Sequence, residues 1–244
     1  MDYKDFDRMV NEAEGNYSHD YIPSISFPIL MRKVYTWMTL AMLITGITAY
    51  GVASSPAILS MIFSNKLVFF GLFFIELGLV WGLTGRLESL SLTTATFMFI
   101  AYSVINGATL SSIFLLYTMQ SIEIVFFITA ATFGAMALLG HVIKTDLTSL
   151  GKILVMALIG LIIASVVNIF VGSTFLQTIL SYIGVLIFVG LTAYDSQQIK
   201  RMLMSQEYAD EGAQKLALLG SLHLYLDFIN LFIYLLRIFG SRRE

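Results

Sequence analysis

Residues 215–240 read KLALLGSLHLYLDFINLFIYLLRIFG, and this stretch decides the fold. It is long and apolar enough to cross the roughly 30 Å hydrocarbon layer of a bilayer as a helix. Polar residues nevertheless interrupt it at helical spacing: His223, Asp227, Asn230, Tyr234 and Arg237. At about 100° per residue these five fall within about 120° of one another, with Leu and Phe covering most of the remaining surface. Lipid offers such a stripe no hydrogen-bonding partner, so the helix must turn it toward other helices. Asp227 stands twelve residues after Lys215 and ten before Arg237, near mid-depth. An aspartate at the centre of a span costs about 2.5–3.5 kcal/mol on insertion scales, so its presence calls for a reason.

Working outward, six more apolar runs precede this one, at about 34–54, 67–85, 92–117, 122–143, 151–172 and 175–197. With 216–239 they predict an all-α membrane protein of seven transmembrane helices. Composition agrees: 57% of the 244 residues are hydrophobic and 12% charged, against about 25% charged in ordinary soluble domains. The chain divides into a polar, acid-rich tail over 1–28 and a transmembrane domain over 29–244. A polar connection at 198–215 separates the last two spans. The tail, with Asp2, Asp5, Asp7, Glu12, Glu14 and Asp20, does not resemble a cleavable signal peptide. DYKD at 2–5 runs into it without a break and reads as native. Cysteine is absent, which excludes disulfides and thiolate metal sites.

Basic residues set the expected orientation. With the N-terminus inside, Lys4, Arg8, Arg32, Lys33, Arg86, Lys144, Lys152, Lys200, Arg201 and Lys215 lie on the cytoplasmic side. Lys66, Arg237, Arg242 and Arg243 lie outside. The basic C-terminus opposes this bias locally and leaves open whether the last segment crosses or re-enters.

Further ionisable residues accompany Asp227. Asp195 ends the sixth run within GLTAYDSQQIK, and Arg86 closes the second at a similar depth, so an Arg86–Asp195 pair is allowed. Glu76 lies ten residues before Arg86, toward the other side, where Arg237 is its natural partner. Two ion pairs at two depths, with Asp227 between them, predict two closures around a central acid. The alternative is a structural ion pair that locks the bundle. Should Asp195 and Asp227 meet, they titrate as one coupled pair, and protonation switches the site between charged and neutral forms. Carboxylates beside Asn and carbonyl oxygens suit weak Ca²⁺ binding of the permeation type. Asn106, His223 and Asn230 are candidates to line the path. Asn106 and Asn168 suit bonding across helices equally well. Tyr35 and Trp37 suit an interfacial belt, and Ser111–Ser112 suits helix packing.

GLTAYDSQQIK at 190–200 and LYLDFINLFIYLLRIFG at 224–240 resemble the two C-terminal signatures of the transmembrane Bax-inhibitor-motif family. VYTWMTLAMLITGITAY, NGATLSSIFLLY and HVIKTDLTSLGK agree with its earlier segments, and the likeness runs from about Phe27 to Gly240. The resemblance implies seven helices with the last held centrally between two three-helix layers. It implies a pH-sensitive Ca²⁺ leak channel whose paired aspartate sensor matches Asp195 and Asp227. It also implies gating ion pairs that match Arg86 with Asp195 and Glu76 with Arg237. The segment 201–214 looks longer than in compact bacterial members, and 32 positions separate the aspartates.

No cofactor is expected; calcium is the expected permeant ion, with protons and the bilayer as other partners. Relatives associated with membrane-bound proteases or with suppression of cell death imply a second reading, a regulator acting through protein partners, docked at 1–28 or 198–215. An enzyme is not expected. A zinc site needs three or four His, Cys or carboxylate ligands, whereas the spans hold only His141 and His223, and no GxSxG nucleophile motif occurs. No nucleic acid is expected as partner. The chain reads as an integral protein of a bacterial cytoplasmic membrane.

Overall fold

The computed structural model describes residues 26–243; the acidic-tail reading over 1–25 lies outside them. The helices are α1 (Phe27–Ala53), α2 (Pro56–Ser64), α3 (Lys66–Gly85), α4 (Leu92–Leu110), α5 (Ile113–Leu116), α6 (Met119–Val142), α7 (Thr148–Val171), α8 (Thr174–Met204) and α9 (Glu211–Phe239). Seven are long and apolar enough to cross a membrane, taking α4 and α5 as one span. The described residues form no strand beyond an isolated bridge between Tyr117 and Arg242.

The central helix is α9. Its window is 67% buried, against 6% for α3 and α7. On one side it packs on α1 and α4, with α3 outside α4; on the other it packs on α6 and α8, with α7 outside α8. The expected arrangement of a central seventh span between two three-helix layers is therefore present. At 1.5 Å per residue α9 is about 43 Å long, one unbroken helix long and apolar enough to cross the layer. The face where α1 and α9 begin is called the N-face, and the opposite one the C-face.

Two differences from the sequence reading have local causes. The polar connection at 198–215 shrinks to 205–210, because α8 continues to Met204 and α9 starts at Glu211. The polarity of 198–204 marks helix outside the apolar layer rather than loop. The Asp210 carboxylate accepts from Ala213 N at 2.8 Å and caps α9, satisfying an otherwise unpaired N–H. The third span breaks at Ser111–Ser112. Ser111 N donates to Ala108 O at 3.3 Å and its hydroxyl donates to the same carbonyl at 2.6 Å. These bonds, three residues apart, tighten the turn and end the α pattern.

Close approach relies on two glycines. A Cβ on Gly107 would stand 2.6 Å from Thr45 O, where α4 meets α1, and one on Gly140 would collide with the Ala193 backbone, where α6 meets α8.

Candidate functional site

The GLTAYDSQQIK segment fixes α8 against its neighbours. Ser196 Oγ donates to Ala137 O at 2.7 Å, and Lys200 Nζ donates to His141 O at 2.8 Å. Gln197 accepts from Leu147 N at 2.9 Å and donates to Thr145 O at 2.8 Å, bracing the turn between α6 and α7. With these side chains spent on α6 and the turn, Asp195 faces α9 and α7.

There it meets Asp227. The two carboxyl groups adjoin, close enough to share a hydrogen bond when one carries a proton. Asp227 is 4% exposed, and its Oδ2 is buried and meets no donor among the described residues. A buried carboxyl oxygen without a hydrogen bond is costly. His223 stands within electrostatic reach of Asp195. Both aspartates, His223 and Asn230 line one cleft of about 650 Å³ between α7, α8 and α9, with Tyr194, Gln198, Met202 and Tyr234. Gln198 Nε2 donates to Tyr194 Oη at 3.0 Å. Asn230, which lines the cleft, donates from Nδ2 to Leu226 O of its own helix at 2.8 Å.

The expected ion pairs do not form in this structure. Among the described residues one ion pair falls within 4 Å, Arg201 Nη1 to Asp146 Oδ1 at 2.8 Å, exposed at the N-face. The Thr148 hydroxyl and N–H and the Arg201 guanidinium hold the Asp146 carboxyl low, at about 2. Arg86 lies over the Trp81 ring, 5.1 Å from its centroid. It borders an N-face hollow with Leu216 and Leu219. Leu219 precedes Asp227 by eight residues, about 12 Å of helix rise, so Arg86 sits above the carboxyl pair. Glu76 instead accepts from Thr109 Oγ1 at 2.7 Å. Arg237 lies over the Tyr234 ring at 5.3 Å, beside the α7–α8 connection. The physical reason is the layering: Glu76 meets α4 in one layer, and Arg237 faces the hairpin of the other.

Asn106 lies away from the cleft. It belongs to a buried network on the opposite side of α9. Tyr225 Oη donates to Asn106 Oδ1 at 3.1 Å and lies 2.7 Å from Thr45 Oγ1. Thr45 Oγ1 donates to Ser103 O at 2.9 Å. Phe99 and Tyr102 pack edge-on against the Tyr225 ring. The sequence reading missed this network because Thr45, Ser103 and Tyr225 are ordinary residues of apolar spans. It also missed Tyr194 and Gln198, although both flank Asp195 at helical spacing.

A central polar-striped helix, six surrounding spans and an intramembrane carboxyl pair define a polytopic integral membrane protein. The chain belongs to the Bax inhibitor-1 family: the family model described as "Inhibitor of apoptosis-promoting Bax1" matches residues 28–244. It is similar to the inner membrane protein YbhL of Escherichia coli strain K12, 45% identical over 222 residues, 91% of this chain and 95% of that one. A protein of Borreliella burgdorferi is 46% identical over 214 residues, 88% of this chain and 92% of the other. Protein RP147 of Rickettsia prowazekii is 43% identical over 216 residues, 88% and 90% of the two chains.

Proposed function

We propose that this protein is a proton-regulated cation leak pathway, with calcium as the leading permeant ion and Asp195 and Asp227 as sensor and weak ligands. The observation that carries the reading is the adjoining carboxyl pair facing a cleft, with one Asp227 oxygen lacking a donor. Two carboxylates and the Asn230 side-chain oxygen are oxygen ligands of the type calcium takes. They are too few to retain it, which suits passage over storage. One proton shared by the pair changes the charge of the cleft by one unit and so its attraction for a cation. Arg86, above the pair, is the group that would close the path from the N-face by swinging from Trp81 toward Asp195. In this reading the N-face is cytoplasmic, following the excess of Lys and Arg there, and no enzymatic step is involved.

The test is calcium entry into dye-loaded proteoliposomes over a range of pH. Flux that depends on pH, and that Asp227→Asn abolishes or makes pH-blind, supports the reading. Absence of flux from folded protein sinks it.

A further inference from the structure

A second hollow, separate from the carboxyl cleft, lies at the C-face. It measures about 310 Å³ and is lined by Ser165, Asn168, Gly172, Gln177, Leu180 and Arg237. Its chemistry is one-sided. No lining residue is acidic, and Arg237 has no ion-pair partner among the described residues. The Asn168 Oδ1 accepts from Ser173 N at 3.1 Å, which leaves the amide NH₂ as its remaining donor. The Gln177 side chain makes no hydrogen bond among the described residues, while its backbone N–H is spent on Ser173 O. The Ser165 hydroxyl spends its proton on Leu161 O at 2.7 Å. The hollow therefore presents a guanidinium and two carboxamides.

Position matters as much as chemistry. Arg237 comes two residues before the end of α9 at Phe239, and Gly172 (φ 67°) makes the tight left-handed end of α7. Both therefore lie at the C-face ends of their membrane-spanning helices, the ends that headgroups border in a bilayer. Arg237 is braced over Tyr234, whose ring stacks on Phe188 at 5.8 Å. A planar guanidinium suits bidentate contact with phosphate oxygens.

We infer that this hollow binds a phosphate-bearing anion, with Arg237 as the charged contact and Asn168 and Gln177 as neutral donors. Two sources share that chemistry, a phospholipid headgroup and free phosphate. The inference does not rest on the flux reading.

The experiment is native mass spectrometry of the full chain in mild detergent. One arm adds phosphatidylglycerol and the other adds inorganic phosphate. The variants are Arg237→Gln, Asn168→Leu and, as a control for general surface charge, Arg242→Gln. Circular dichroism establishes that each variant is helical. Loss of a charge-assisted contact predicts roughly ten- to a hundredfold weaker binding in Arg237→Gln. Asn168→Leu is expected to weaken binding less, and Arg242→Gln to leave it unchanged. Arg237-dependent binding in the phosphatidylglycerol arm identifies the lipid, and in the phosphate arm alone a soluble anion. Equal binding by wild type, Arg237→Gln and Asn168→Leu in both arms, or no binding in either, overturns the inference. Should Arg237→Gln fail to fold, Asn168→Leu decides by the same comparison.

Discussion

Tyr225 and Asp227, two residues apart on α9, face opposite layers of the bundle: Tyr225 bonds toward Thr45 and Asn106, and Asp227 adjoins Asp195 in the cleft. Two residues correspond to about 200° on a helix, so a single central helix carries two polar systems back to back. One is tied together by hydrogen bonds and reaches Glu76 through Asn106. The other contains a buried oxygen without a donor.

The hydrogen bonds of the Tyr225 network hold α1, α4 and α9 together. Tyr225→Phe removes the hydroxyl that contacts Asn106 and Thr45 in a fully buried place. The expected cost is about 1–3 kcal/mol, because buried partners lose their bond. Thermal unfolding in detergent should show the loss, while the pH profile of calcium flux stays that of wild type.

Helix contact predicts a pair of opposite outcomes for two glycines on α6. Gly140→Ala drives a methyl into the Ala193 backbone, whereas a Cβ on Gly134 meets nothing within 4 Å. Overpacking of this kind costs about 1–3 kcal/mol. Gly140→Ala should lower the unfolding temperature and the yield of monodisperse protein. Gly134→Ala should do neither.

Gln197 braces the α6–α7 turn through bonds to Leu147 N and Thr145 O. Gln197→Leu leaves the buried Leu147 N–H without its acceptor, at a cost of about 1–3 kcal/mol. Hydrogen exchange should speed up in residues 143–147 and remain slow in the middle of α9.

The exposed Arg201–Asp146 pair makes a prediction about pH. Its folded carboxyl titrates at about 2, below the ordinary 3.8. A depressed carboxyl contributes stability that is present above the unfolded value and lost as pH falls through the folded one. The window is therefore roughly pH 4 down to 2, and Asp146 stays ionised from about pH 5.5 to 8. Asp146→Asn should leave the flux profile unchanged in that range, and a shifted profile would place a sensor at the N-face turn.

Much of this was legible in the chain because a bilayer leaves few options. Apolar length located the seven spans, and the polar stripe of α9 marked the helix that needed neighbours on all sides. The stripe also brought His223, Asp227 and Asn230 to one cleft with Asp195. Depth alone misled on the pairing of Glu76 with Arg237. It ranks residues along the membrane normal but is silent on which layer each helix joins, and α9 stands between α4 and the α7–α8 hairpin. Of the two readings open for Asn106, the structure shows the bond across helices, to Tyr225. The 198–215 connection was overlong because polar residues in helical ends beyond the apolar layer read as loop.

The most direct test of the central claim is calcium entry into proteoliposomes from about pH 5.5 to 8, comparing wild type with Asp195→Asn and Asp227→Asn. The account predicts pH-dependent entry in wild type that either substitution abolishes or renders indifferent to pH. Entry with an unchanged pH profile in both variants, or none above empty liposomes in folded wild type, would contradict it.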